Sequence, residues 1–158
     1  MFVCRDFHAC ALALLLFAGC GNSNGDASAD RIKSMAGGDL KTVVPVSGKV
    51  LVDGEPKAGV KVMLYVDGPI PQLHGECGTK PDGTYCWTTY GDCDGIVPGE
   101  YKVTFRQWRF EKENERYEAS DDLLHGKYSD PRKSQFKLSV KAGAPQTNAD
   151  YELTTAKK

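Results

Sequence analysis

Histidine is scarce in this chain, with three in 158 residues, and the sequence contains no Gly-x-Ser-x-Gly elbow, His-Glu-x-x-His helix or glycine-rich phosphate loop. Side chains that exchange protons near pH 7 are therefore few, and common signatures of acyl transfer, zinc hydrolysis and nucleotide binding are missing. A surplus of one charge is missing too, since 20 basic side chains face 21 acidic ones. That balance excludes a nucleic-acid binder held by bulk charge, and a highly charged disordered tail. Nor is there a long hydrophobic run. The stretch from Ala9 to Gly19 has eleven residues, whereas a helix needs about 20 to cross the hydrocarbon core of a bilayer. What the chain does have is 17 glycines and 8 prolines, which place many turns between short elements and favour an all-β fold. Its length suits one domain, able to bury roughly two thirds of the surface its unfolded chain exposes.

The N-terminus has the proportions of a secretory signal. Arg5 is offset by Asp6, the apolar stretch follows as an h-region, and the stretch closes with Phe17-Ala18-Gly19-Cys20. This ending resembles a bacterial lipobox, in which small residues precede a cysteine that becomes the first mature residue. The resemblance implies cleavage between Gly19 and Cys20 and lipid attachment at the Cys20 thiol, with Phe17 standing where leucine is usual. Acyl chains contribute about 0.8 kcal/mol per buried CH₂, so two or three of them anchor a protein durably. Residues 1–19 are thus expected to be a lipoprotein signal peptide, and the mature chain to be tethered to a membrane rather than to span it.

Residues 20–43 are rich in Gly, Asn, Ser, Asp and Ala with almost no aliphatic periodicity, which predicts a flexible tether. From 44 to 158 the hydrophobic period becomes two. Val44, Val46, Val50 and Val52 alternate with polar or small residues up to the Asp53-Gly54 turn, and Val60, Val62, Leu64 and Val66 repeat the pattern. Gly75 to Thr79 and Tyr85 to Thr89 flank Pro81-Asp82-Gly83, which predicts a hairpin. Tyr101, Val103 and Phe105 should face inward from the next strand, Phe136, Leu138 and Val140 from another, and Ala149, Tyr151 and Leu153 from the last. Seven strands with intervening turns predict an antiparallel Greek-key β-sandwich. Nine of the fourteen residues from Arg109 to Asp122 are charged, which suits a solvated crossover between the sheets.

The candidate chemistry is sparse. After signal removal, His74 and His125 are the remaining histidines, 51 positions apart. Asp92-Cys93-Asp94-Gly95 opens like a Ca²⁺ loop, but Ile96 and Val97 stand where an oxygen ligand and the turn glycine belong, so a plain turn is expected. No metal or cofactor site is expected. Cys77, Cys86 and Cys93 would lie in a compartment where disulfides persist. A two-residue turn at Pro81-Asp82 places Cys77 opposite Cys86, the favoured pairing, whereas a three-residue turn shifts the register and favours a bridge to Cys93. Tyr65, Trp108 and Tyr128 are candidates for outward-facing aromatics able to stack on a sugar or anchor a partner.

Several segments taken together resemble the carboxypeptidase regulatory-like family. They are Val46-Ser47-Gly48-Lys49-Val50, Asp53-Gly54-Glu55-Pro56, Gly59-Val60-Lys61-Val62, Thr79 to Tyr85, and Val97-Pro98-Gly99-Glu100-Tyr101-Lys102-Val103. Gly126-Lys127-Tyr128-Ser129-Asp130-Pro131 with Ser134 resembles the closing part of small lipoproteins of this kind. The resemblance implies a transthyretin-like (prealbumin-like) sandwich over residues 44–158 and a scaffold whose members vary in what they bind. The expectation is a lipid-anchored bacterial cell-envelope protein, facing the periplasm or exterior. Its sandwich would be non-catalytic and would bind protein or carbohydrate. The alternative is a small transthyretin-like hydrolase or metal-dependent enzyme using His74 or His125.

Overall fold

The computed structural model describes residues 24–108, 110–113, 116–119 and 122–156. It divides into two units, residues 1–39 and 40–158. In the first, α1 spans Asn24–Met35, where a flexible tether is expected. Lys33 lies in its last turn, where the helix dipole favours a cation. Gly37, at φ +74°, ends it in the left-handed conformation. No helix among the described residues is long and apolar enough to cross a membrane.

The second unit is two open β-sheets packed face to face. One is built on β1 (Ser47–Val52), flanked by β2 (Glu55–Pro56), β5 (Thr84–Cys86) and β10 (Tyr151–Leu153). The other has the order β4 (Gln72–Gly78), β3 (Val60–Val66), β6 (Gly99–Gln107), β9 (Lys137–Val140). A separate hairpin joins β7 (Phe110–Glu113) to β8 (Arg116–Ala119), within the charged segment expected to be a plain crossover. The described residues therefore hold ten strand segments, several only two to four residues long, where the periodicity predicts seven. One pairing also departs from the antiparallel expectation, because β10 runs parallel to β1, with Val50 beside Tyr151 and Val52 beside Leu153. The chain reaches β10 from β9 by crossing from one sheet to the other, and such a crossing does not force reversal as a hairpin does.

The alternation of side chains produces the core. Val50, Val52, Tyr85, Tyr151 and Leu153 from one sheet meet Val60, Val62, Leu64, Tyr101, Val103, Phe105, Leu138 and Val140 from the other. The rings of Phe105 and Tyr151 close the gap between sheets at 5.1 Å. Gly48 lets the last segment lie directly on β1, since a Cβ there would overlap the Ala149 carbonyl. That carbonyl accepts a hydrogen bond from the buried Tyr85 hydroxyl at 2.5 Å. Burial pushes the Tyr85 hydroxyl pKa well up, so it stays a donor.

Candidate binding groove

Beyond the four residues of β9, the edge of β6 is occupied by an irregular segment. Val103 N–H donates to Phe136 O at 3.0 Å, Phe105 N–H to Tyr128 O at 3.0 Å, and Leu123 N–H donates to Gln107 O at 2.7 Å. Leu124, 1% exposed, pins the start of this segment to the core. The Asp122 carboxylate fixes its first turn by accepting from the N–H groups of Gln107 (2.9 Å), Leu124 (3.0 Å) and Gly126 (3.0 Å). Asp130 organises the second turn by accepting from Arg132 N–H at 2.9 Å. Ser134 then fastens the exit: its hydroxyl donates to Val103 O and accepts from Phe136 N–H at 3.2 Å. The Gly126–Pro131 motif and Ser134 are thus the scaffold of one loop.

This loop and the C-terminal segment enclose a groove of about 520 Å³, lined by Tyr128, Phe136, Lys127, Asp130, Lys133 and Thr154 among others. Tyr128 and Phe136 are half-buried and pack against the core, with ring centroids 5.8 Å apart. Both rings also meet Phe105, at 6.4 and 5.2 Å. The Tyr128 hydroxyl donates to Thr154 O at 3.3 Å and accepts from Thr154 N–H at 3.0 Å. Lys127 Nζ donates to the carbonyls of Thr154 (3.2 Å) and Ala156 (3.0 Å), 5.2 Å from the Tyr128 ring centroid. Asp53 holds the same C-terminal segment, accepting from Thr155 N–H and hydroxyl at 3.0 and 2.6 Å. The Thr155 hydroxyl bond is the main cause holding the Asp53 carboxyl below its ordinary value. The groove therefore joins aromatic surface, suited to the C–H faces of a ring, to a rim of charged and hydrogen-bonding groups.

The other candidate residues lie elsewhere. Gly19 and Cys20 are outside the described residues. His74 is exposed on β4, its Nε2 3.5 Å from the Tyr101 hydroxyl. Partial burial of its ring against Tyr101, then the Lys41 charge, lowers its pKa. His125 is exposed at φ +53° in the turn that follows Leu123, beside Gln107 at the far end of β6. Tyr101 and Gln107 are six residues apart on that strand, about 20 Å at strand rise, so the two histidines do not meet. Tyr65 is half-buried on β3, and Trp108 is half-buried with Lys61 Nζ 5.5 Å from its ring centroid.

The disulfide joins Cys86 to Cys93, with Cα atoms 5.3 Å apart, and Cys77 is free. This corrects the favoured Cys77–Cys86 pairing. The Lys80–Gly83 turn forms, with Gly83 N–H donating to Lys80 O at 2.9 Å, but the strands diverge beyond it. Cys77 pairs across β4–β3 with Val62, while Cys86 pairs across β5–β1 with Ser47. Cys86, Cys93 and Asp92 bring potential metal-ligand atoms within 4.8 Å of one another, but the bond between the sulfurs occupies both thiols. Asp94 serves as a turn brace, accepting from Thr89 and Tyr90 N–H at 2.7 and 2.9 Å.

Two of the groove's contributors escape the sequence reading. Phe136 looks like the first core position of a strand, and Thr154 like the end of one. Their role arises because the loop turns back along β6.

The chain is thus an open two-sheet β-protein with a groove at one sheet edge. No family model matches it, and no curated protein does. Among solved structures it is similar to (S)-allantoin synthase, at 14% identity and TM-score 0.42, over 81% of this chain and 47% of that one, about half its length. It is also similar to a protein from Pseudomonas aeruginosa provisionally assigned to carbohydrate binding, at 13% identity and TM-score 0.38, over 76% and 93% of the two chains. A third is the dioxygenase domain of a dioxygenase–carbohydrate-binding fusion from Streptomyces sp. SirexAA-E, at 14% identity and TM-score 0.33, over 73% and 80%. Two of these three come from enzymes, which corrects the expectation of a non-catalytic sandwich. A fold of this kind hosts unrelated chemistries, so the lack of a familiar motif does not exclude turnover. Likenesses this loose assign no function.

Proposed function

We propose that this chain is a lipid-anchored cell-envelope protein, of the carboxypeptidase regulatory-like, transthyretin-like kind, whose sandwich binds carbohydrate in the groove between the Lys127–Phe136 loop and Thr154. The observation that carries the reading is the pairing of two half-buried aromatic rings, Tyr128 and Phe136, with a polar rim in one groove of about 520 Å³. A sugar presents both an apolar ring face and a belt of hydroxyls, and this lining offers partners for each. Lys127 and Tyr128 are already held by the C-terminal carbonyls, which reduces the ordering cost of binding. The Ala18-Gly19-Cys20 ending supports the anchor.

Calorimetric titration of the purified protein with envelope and plant-type oligosaccharides tests the groove. Tyr128→Ala is expected to weaken binding about tenfold or more, as loss of a well-packed interface aromatic does. Binding unchanged by Tyr128→Ala, with the fold intact by circular dichroism, would overturn the site. Absence of binding to every glycan tried would overturn the ligand class. Intact-mass measurement tests the anchor, with an acylated N-terminal Cys20 expected.

A further inference from the structure

The sandwich gathers its exposed aliphatic side chains at one end. Among the described residues of the second unit, the large hydrophobics that stand exposed are Leu40 (38%), Val66 (43%), Ile70 (73%) and Leu73 (55%). Three of them belong to one hairpin tip: Val66 pairs with Gln72 to close β3–β4, Leu73 sits opposite Tyr65, and Ile70 stands in the Pro69–Pro71 turn between. Leu40 opens the unit four residues before Val44, which bridges Ile96; the adjoining Val97 carbonyl accepts the Tyr101 hydroxyl at 2.7 Å, and Tyr101 pairs with Val66 at the tip. The Lys41 N–H is fixed by donating to the Tyr90 hydroxyl at 3.0 Å. The polypeptide therefore enters the sandwich at the end that carries its greasy tip.

We propose that this end, formed by Leu40, Val66, Ile70 and Leu73, is a seat that rests on the lipid surface to which the chain is anchored. The inference rests on the lipid-anchor reading. Only twenty positions separate Cys20 from Leu40, so an acylated Cys20 keeps the bilayer at high effective concentration beside this end. A projecting tip of two prolines around an isoleucine offers no concave surface to clasp a protein, but it can dip apolar atoms below the headgroups. Charge contributes little. Lys41 is accompanied by Asp39 and Asp67, and Asp67 N–H is bonded to Glu100 O at 3.1 Å, which brings a second acidic strand residue near. The seat is therefore driven by apolar burial and should be indifferent to lipid charge and salt. It also orients the protein. β4 is one edge of its sheet and the groove lies along the other, past β6, with β3 between. The groove loop bonds β6 at Val103 and Phe105, whereas the tip residue Val66 pairs with Tyr101, so a seated tip leaves the groove clear of the lipid.

The test uses the acylated full-length protein in phosphatidylcholine vesicles containing doxyl-labelled lipid. A fluorophore is placed at Ile70→Cys or, as a groove-side control, at Lys133→Cys, each in a Cys77→Ser background. Quenching at position 70 is expected to exceed that at 133 by about threefold or more, to persist in high salt, and to collapse with Leu73→Asp. Equal quenching at the two positions, or quenching untouched by Leu73→Asp, would overturn the seat while leaving the anchor standing. Protection of the position-70 label from iodide before vesicles are added would also overturn it, by showing that a second copy or another part of the chain covers the patch. Should mass analysis find no lipid on Cys20, the anchor fails separately. Partition of the unacylated protein into neutral vesicles, lost on Leu73→Asp, then decides the seat alone.

Discussion

Gly48→Ala probes a close backbone approach within the sandwich. A methyl group at this position collides with the Ala149 carbonyl group, and the resulting shift has a specific victim. Ala149 O accepts the Tyr85 hydroxyl, whose residue is 2% exposed, so a displaced carbonyl leaves a buried donor unsatisfied. That loss costs about 1–3 kcal/mol, and forcing an extra carbon into a packed site costs about 1–3 kcal/mol more when the neighbours must move. A total of about 2–6 kcal/mol is expected, or roughly 8–24 °C in midpoint at about 4 °C per kcal/mol for a unit of this size. Urea and thermal unfolding give the number. Gly78→Ala, where a Cβ on β4 meets nothing within 4 Å, is the control and should be near neutral. The mechanism makes a second demand. If the collision acts through the hydroxyl bond, Tyr85→Phe combined with Gly48→Ala must cost less than the two singly. Strict additivity, or a Gly48→Ala cost below about 0.5 kcal/mol, refutes the reasoning.

Two further outcomes follow from the cysteines. Non-reducing peptide mapping should recover Cys86 joined to Cys93, and Cys86→Ser/Cys93→Ser should lower stability by about 2.5 kcal/mol, the loop-closure value for their sequence separation of 7; a bridge to Cys77 would contradict the sheet assignment. Burial, with a smaller contribution from Glu76, pushes the Cys77 thiol up from 9.0 to about 12. It should therefore resist thiol reagents at pH 8 until the protein is unfolded, and rapid labelling of the native protein would refute this burial. Because the folded pKa is the higher one, the thiol's contribution to stability is complete below pH 9 and is lost as pH rises toward 12. Cys77→Ala should remove that part of the alkaline slope in unfolding titrations.

Alternation was enough to place most of the large apolar side chains, although Met63 and Thr104, at positions it turns outward, are buried as well. Val50, Val60, Val62, Leu64, Tyr101, Val103, Phe105, Tyr151 and Leu153 are all buried, as the two-residue period predicts. Val66 has the same place in the pattern and is exposed, since it lies at the hairpin tip where the opposite sheet no longer covers it. Of the candidate groove, Tyr128 and the Gly126–Pro131 motif were legible, because turn-forming Gly, Asp and Pro beside an aromatic carry local meaning. Phe136 and Thr154 were not, because a residue's membership of a groove depends on what the chain brings opposite it.

Local chemistry in the sequence therefore determined the turns, the strand faces and the β class, since each depends on neighbours two to four positions away. The tertiary structure decided which strand lies beside which. It sent Cys77 to one sheet and Cys86 to the other, ran β10 parallel to β1, and laid the loop along β6 to make the groove. A period of two specifies a face but not a partner, and partners are chosen by the closure of long loops and the packing of two sheets at once.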